Sequence, residues 1–328
     1  MDTRTTYRRL VVTALGLAFV VVVFGAFVRL SDAGLGCPDW PGCYGHVGVP
    51  ASEAALAQVR DRFPDSVVEH RKAWIEMIHR YLAGILGLLV LALAVLGVRW
   101  SHALGQSPAL AVGLVGLVMV QAAFGMWTVT LLLMPVIVTT HLLGGMTTLA
   151  LLAWLAARQS PLGGLAPARR PAPRWAWAAL IAVGLQIALG GWVSTNYAGM
   201  ACPDYPLCHG ALLPDMDFSH GFTLWRQLGV TAAGEPLSSA SLNAIQWLHR
   251  KWALVVLAAV LFAAWKARHH RQTRAAGTAA GLLVLAQAGI GIANVLWVLP
   301  LPLAVAHNAG AAALLVMLVV LNFRACSA

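Results

Sequence analysis

Long apolar stretches separated by short polar segments dominate the chain. A helix needs about 20 apolar residues to cross the roughly 30 Å hydrocarbon core of a bilayer, and eight stretches reach that length. They cover residues 10–30, 73–98, 109–130, 135–157, 176–195, 244–266, 275–299 and 302–321. The first stretch follows basic residues as a secretory signal does, but it is too long and Arg29 ends it without a cleavage site. The pattern predicts an all-α integral membrane protein with eight transmembrane helices.

The distribution of charge orients these helices. Charged residues make up 10% of the chain, against about 25% in a soluble domain. If the N-terminus is inside, the inner segments hold 13 of the 22 basic residues and a single acid, Asp2, of the 12 acids. Because loops rich in Lys and Arg stay in the cytoplasm, we expect both termini there. The net charge of +10 then reflects membrane topology, and we expect no nucleic-acid partner.

The sequence contains an internal repeat. The segment AGLGCPDWPGCYG at 33–45 recurs as AGMACPDYPLCHG at 198–210, and QAAFGMW at 121–127 resembles QAGIGIA at 287–293. Each repeat holds an even number of helices, so both halves have the same orientation. We expect two pseudo-symmetric four-helix bundles: an N-terminal half at 1–158, a Pro- and Gly-rich cytoplasmic linker at 159–174, and a C-terminal half at 175–328. Segment 52–63 is expected to form an amphipathic lid over the bundle, or else a solvated loop.

Four of the five cysteines form closely spaced pairs in the outer loops, Cys37 with Cys43 and Cys202 with Cys208. An oxidising exterior favours disulfides, and closing a loop of about seven residues contributes about 2 to 3 kcal/mol on the chain-entropy model. The alternatives are two reduced pairs or one zinc site made from all four thiolates. Cys326 follows the last helix and is expected to be an ordinary free thiol.

Four of the eleven histidines lie inside predicted helices: His79, His141, His249 and His307. Ionisable groups at such depth are costly and mark functional sites, although a lone histidine also serves as a hydrogen-bonding group between helices. Each lies within about two turns of the outer end of its helix, so both members of a pair share one depth. Two facing imidazoles in a four-helix core are suited to clamp heme iron. Zinc or copper is the alternative, but such sites usually need further ligands.

Two kinds of neighbour bear on this hypothesis. Arg80 and Arg250 follow their histidines directly, where a guanidinium group pairs with heme propionates or extends to lipid headgroups. Glycines about one turn from the histidines leave room for a flat macrocycle or for close helix packing; they are Gly84, Gly144, Gly145 and Gly310.

The two halves differ next to the histidines. Glu76 precedes His79 by three residues and shares its helix face, while the matching residue of the second half is Gln246. This difference suggests that the first half performs chemistry and that the second carries electrons. The alternative is that Glu76 is a solvated residue favoured by the dipole of a helix start.

Several motifs together resemble the heme A synthase family over essentially the whole chain: the GCPDWPGCYG loop, the EMIHR and WLHRK helices, and the TTHLLGG and AHNAGAA helix starts. The resemblance implies an oxidoreductase of the bacterial inner membrane, with its heme sites toward the outer face. Its reaction would oxidise a methyl group of heme O to the formyl group of heme A for terminal oxidases.

The resemblance also implies roles for individual residues. His249 and His307 would ligate a heme b cofactor, with Arg250 beside them. His79 and His141 would face the substrate heme, with Arg80 beside them, and Glu76 matches the family's essential acidic residue. Cys37 and Cys43 match the family's outer-loop pair, whereas a second pair such as Cys202 and Cys208 occurs in only some members.

The expected partners are heme O and heme A, membrane lipid, a heme O synthase, cytochrome oxidase assembly factors, an electron donor and a second copy of the chain. A rival hypothesis is a quinol-linked diheme b-type electron-transfer protein. That protein would use both halves alike, so the difference between Glu76 and Gln246 counts against it. A transporter built on parallel repeats would show helices broken near the middle of the membrane, and the sequence offers no such interruptions.

Overall fold

Eight long helices form the protein, as the hydrophobic pattern predicts. The computed structural model describes residues 2–160 and 172–326, and eight helices within these residues are long and apolar enough to span a membrane. In chain order, α1 to α8 are Thr3–Leu30, His70–Arg99, Ala109–Thr130, Pro135–Arg158, Arg174–Thr195, Ser239–Ala267, Arg271–Leu296 and Leu301–Ala325. The chain is therefore a multi-pass membrane protein. Residues 161–171 of the predicted linker lie outside the described residues.

Two helices begin several residues earlier than hydrophobicity predicts, because polar caps extend them. The carboxylate of Asp2 accepts hydrogen bonds from the backbone N–H groups of Arg4 and Thr5 at 3.4 and 3.3 Å, so α1 begins at Thr3 rather than at residue 10. The hydroxyl of Ser238 accepts from the Ser241 N–H at 3.2 Å, so α6 begins at Ser239 rather than at residue 244. N-terminal caps satisfy N–H groups that have no partner within the helix.

The turns between α3 and α4 and between α7 and α8 share an uncommon backbone. Leu132 and Leu133 have φ of 49° and 58°, and Val298 and Leu299 have φ of 57° and 54°. Left-handed backbone is rare for such residues. It ends α7 at Leu296, three residues before the predicted boundary of 299.

Each half of the chain closes into a ring of four helices. In the first half α1 packs on α2, α2 on α3, α3 on α4, and α4 on α1; the second half repeats this order with α5 to α8. The two rings meet through contacts of α8 with α1 and α4, and of α4 with α5. One apolar core contains buried residues from all eight helices. The axis of pseudo-symmetry and the assignment of each half to one heme stay predictions.

The first outer loop folds back onto α2. It contains the amphipathic helix Glu53–Arg62, which begins after the cap residue Ser52 and buries Val59. Val59 packs in a small apolar cluster with Tyr44, Met77 and the first cysteine pair. The interpretation of 52–63 as a segment packed over the bundle agrees with this contact, whereas a freely solvated loop does not.

Both predicted disulfides are present, Cys37–Cys43 and Cys202–Cys208. The alternatives of reduced pairs and of a four-thiolate zinc site are therefore wrong. Cys326 is a free, half-buried thiol, as predicted.

Candidate functional site

Each of the four membrane histidines packs its ring against a glycine of the preceding long helix. A Cβ atom built on each glycine would lie between 3.0 and 3.5 Å from Cε1 of the histidine, which leaves little room for any larger residue. The pairs are His79 with Gly25 of α1, His141 with Gly125 of α3, His249 with Gly190 of α5, and His307 with Gly291 of α7. The glycines thus seat the imidazoles inside the two bundles.

The histidines are divided between the two bundles. His79 and His141 lie on α2 and α4 of the first ring, and His249 and His307 lie on α6 and α8 of the second. The Nδ1 atoms of His79, His141 and His307 are buried without a hydrogen-bond partner. Unpaired buried polar atoms are costly, so these rings are suited to a ligand that fixes their orientation.

These residues fit heme better than a bare metal ion. Within residues 2–160 and 172–326, no group of three or more His, Cys, Asp or Glu side chains is arranged to hold a metal ion. Zinc and copper usually need such a third ligand. A pair of imidazoles on facing helices instead matches the axial ligands of heme iron.

Glu76 lies in a buried ion pair beside the first histidine pair. Only 4% of its surface is exposed, so the alternative of a solvated residue at the helix start is wrong. One carboxylate oxygen accepts a hydrogen bond from the Cys37 N–H at 3.0 Å, and the other pairs with the Arg80 guanidinium. This contact joins α2 to the disulfide loop. Arg80 also donates to the backbone carbonyls of Asp39, Pro41 and Gly42.

The second half has the same arrangement without the carboxylate. The Arg250 guanidinium donates to the carbonyls of Asp204, at 2.7 Å, and of Leu207, at 3.0 Å, and to the Cys202 carbonyl. The Gln246 amide donates to the Gly199 carbonyl at 3.0 Å. Both arginines therefore hold the disulfide loops, and their pairing with heme propionates stays a prediction.

Each disulfide loop is closed by an aspartate. The Asp39 carboxylate accepts from the Gly45 N–H at 2.7 Å, and Asp204 accepts from the Gly210 N–H at 2.8 Å. The hydrogen bond from Gly210 holds the pKa of Asp204 below its ordinary value. Burial raises the pKa of Tyr44 in the first loop, and the nearby carboxylates add to this shift. The loops are thus well-defined caps near the N-terminal ends of α2 and α6.

The expectation for two of the predicted glycines needs correction. At Gly144 a built Cβ would lie 1.7 Å from Nε2 of Gln121, and at Gly310 it would lie 2.1 Å from Oε1 of Gln287. The space beside these glycines is therefore filled by glutamine side chains. Of the other two, Gly84 faces open space and Gly145 lies near a valine side chain.

The glycines that contact the histidines, and the glutamines near them, were not predicted from the sequence. A signal was present: glutamine precedes that glycine by four residues in α3, α5 and α7, as Gln121, Gln186 and Gln287. Two members of this pattern lie in the repeated segments QAAFGMW and QAGIGIA.

Fold and site together define an eight-helix membrane protein with two half-buried histidines in each four-helix ring and two disulfide-closed loops. The model of a family described as cytochrome oxidase assembly protein matches residues 8–319. The heme A synthase of Shewanella oneidensis is 41% identical over 93% of this chain and 92% of its own length. The heme A synthase of Rhodospirillum centenum is 32% identical, over 93% of this chain and 84% of its own length. That of Caulobacter vibrioides is 30% identical, over 94% of this chain and 92% of its own length. The chain belongs to the heme A synthase family.

Proposed function

We propose that the protein is a heme A synthase that oxidises a methyl group of heme O to the formyl group of heme A. The observation that carries this proposal is the difference between two otherwise matching sites. A buried carboxylate, Glu76, lies on the helix of His79, whereas an amide, Gln246, takes its place on the helix of His249. A protein that only passes electrons between two hemes has no need of this difference.

In the second half, His249 and His307 would hold heme b through their imidazoles. Heme b, when bound, supplies one-electron transfer. The four-helix ring of α5 to α8 holds both histidines half-buried, which would limit the access of water to that site. The amide of Gln246 adds no proton-accepting group there, in keeping with a role limited to electrons.

In the first half, His79 and His141 would face the substrate heme O. Conversion of methyl to formyl removes two pairs of electrons from one carbon atom, and the C–H bonds that break must release protons. Glu76 is the carboxylate on the same helix face as His79, so we assign to it the acceptance or relay of those protons. Arg80 and the Cys37 N–H hold both of its oxygens and would fix its orientation.

We place both heme sites toward the outer face of a bacterial inner membrane, with both termini in the cytoplasm. The basic residues of the inner segments support this orientation. The disulfides lie on the opposite side, where an oxidising compartment would form them. The outer loops would then close over the hemes from outside the cell membrane.

The test is heme extraction from a host that makes no heme A. The chain is expressed there together with a heme O synthase, and the extracted hemes are separated and identified by mass. We expect a heme that carries a formyl group, and its absence from cells that express the heme O synthase alone. Purified protein that contains heme b but never yields a formyl heme would instead support the diheme electron-transfer protein.

A further inference from the structure

Glutamine side chains accompany three of the four histidine helices. Gln121, Gln186 and Gln287 each precede by one helical turn the glycine that contacts a histidine ring. In α1 the matching position holds Val21, four residues before Gly25. His79 is thus the only one of the four histidines whose neighbouring helix supplies an aliphatic residue there.

In the second half the glutamines hydrogen-bond the histidine segments. The Gln287 amide donates to the His307 carbonyl at 2.6 Å, and the Gln186 amide donates to the His249 carbonyl at 3.2 Å. The Gln186 amide nitrogen also lies 3.2 Å from Nδ1 of His249. These contacts tie both histidine backbones to the neighbouring helices, and Gln186 also reaches the His249 ring.

The glutamine oxygens of the second half have no hydrogen-bond partner. Oε1 of Gln186 and Oε1 of Gln287 are both buried without one, as is Nδ1 of His307, and it is the amide nitrogen of Gln186 that lies 3.2 Å from Nδ1 of His249. A histidine that binds metal through Nε2 carries a proton on Nδ1, and an oxygen acceptor for that proton strengthens the ligand. Rotation of each glutamine amide would present its oxygen as an acceptor of this kind when heme binds.

The first half lacks this support at His79. Nδ1 of His79 is buried without a partner, and the ring faces Gly25 and the ring of Phe24, whose centroid is 6.4 Å away. The His141 helix, by contrast, receives the side chain of Gln121 against Gly144, one turn after His141.

We propose that Gln186 and Gln287 keep His249 and His307 as permanent axial ligands, and that His79 is the ligand that leaves the iron of the substrate heme. This inference rests on the proposed function. When His79 leaves, the bond between iron and Nε2 breaks and the electron pair stays on the imidazole, so no oxidation or reduction is involved. His141 remains bound, and the iron gains an open position on the side of α1 and α2.

Carbon monoxide is the probe, because it binds ferrous heme only where an axial position opens. The protein is purified with its resident heme b, loaded with heme O, reduced and titrated with carbon monoxide. We expect the heme of the first half to bind it and heme b to exclude it. In Val21→Gln, half-saturation should need about fivefold more carbon monoxide, the factor that one hydrogen bond of ordinary net strength supplies. Val21→Met, of similar length without an amide, is the matched control and should behave as wild type.

Two further comparisons identify the ligand and test the glutamines. His79→Ala should retain bound heme O, because His141 is the ligand that stays, whereas His141→Ala should lose most of its heme O, because the ligand that remains is the one that leaves. Gln287→Leu should let heme b bind carbon monoxide.

The opposite outcomes would overturn the inference: a first-half heme that excludes carbon monoxide, heme O kept by His141→Ala and lost by His79→Ala, or a heme b in Gln287→Leu as inert as that of wild type. A Val21→Gln protein with both hemes and an unchanged titration would do the same. If Val21→Gln fails to load heme, the two histidine variants still decide. Wild-type protein that binds neither heme would instead refute the proposed function itself.

Discussion

Replacing Glu76 by glutamine separates its structural role from its chemical role. In the protein the carboxylate accepts from the Cys37 N–H at 3.0 Å and pairs with Arg80. Glutamine keeps one oxygen for the Cys37 N–H but turns an amide group toward the guanidinium. The change preserves size and one hydrogen bond while it removes the charge and the ability to accept a proton.

The expected loss of stability follows from the partners of the arginine. Breaking a buried ion pair costs about 3 to 5 kcal/mol when the remaining charge is left without compensation. Arg80 keeps its hydrogen bonds to three loop carbonyls, and Arg250 occupies the same setting beside Gln246. We therefore expect Glu76→Gln to cost about 1 to 2 kcal/mol, the net strength of one or two hydrogen bonds. Glu76→Ala should cost more, because it also leaves the Cys37 N–H without an acceptor.

The assay combines thermal unfolding of the purified proteins with extraction of hemes from cells that supply heme O. We expect the apparent melting temperature to fall in the order wild type, Glu76→Gln, Glu76→Ala. Glu76→Gln should retain heme b yet accumulate heme O or a partly oxidised alcohol. Normal heme A production by Glu76→Gln would refute the role in proton transfer, and equal destabilisation by both variants would refute the comparison with Gln246.

Three further predictions address the histidines, the disulfide and the glycine contact. Replacing either second-half histidine by alanine should abolish the low-spin heme b spectrum, since each variant removes an axial ligand; unchanged spectra in both would place the cofactor elsewhere. Cys37→Ser should lower the free energy of unfolding by about 2 to 3 kcal/mol because the cross-linked loop opens, and the melting temperature should fall. An equal effect of reductant on the variant and on wild type would contradict this. Gly25→Ala should weaken heme O binding in a spectroscopic titration, because its Cβ would lie 3.0 Å from Cε1 of His79. Gly16→Ala on the same helix is the control and should leave binding unchanged, because no neighbouring atom lies within 4 Å of its Cβ.

The helices were predictable because their signal is local. A run of about 20 apolar residues is sufficient to identify a membrane span, and all eight were found at their correct places. The errors occur at helix ends, where hydrophobicity is not the cause of the boundary. Asp2 extends α1 by capping it, and left-handed backbone at Val298 and Leu299 ends α7 early.

The contacts of the site were less predictable because they join distant parts of the chain. The position of Glu76 on the His79 face follows from helical spacing, but its burial depends on the first loop, which folds back to present the Cys37 N–H. The glycine contacts depend on which helix faces each histidine. A ring order of helices places Gly25 against His79, and no local pattern encodes that order.

The junction between the halves bears on how the chain arose. The Tyr197 hydroxyl donates to the Asp32 carboxylate at 2.9 Å, and the Arg29 guanidinium lies over the Tyr197 ring. Asp32 and Tyr197 occupy the same position of the repeat, 165 residues apart. In a homodimer of identical units, a residue that meets its own copy lies on the two-fold axis, so an ancestral dimer would have faced aspartate with aspartate or tyrosine with tyrosine. If the two halves arose by fusion of such units, that constraint was released, since each copy could then mutate independently and an acid could acquire a hydroxyl partner.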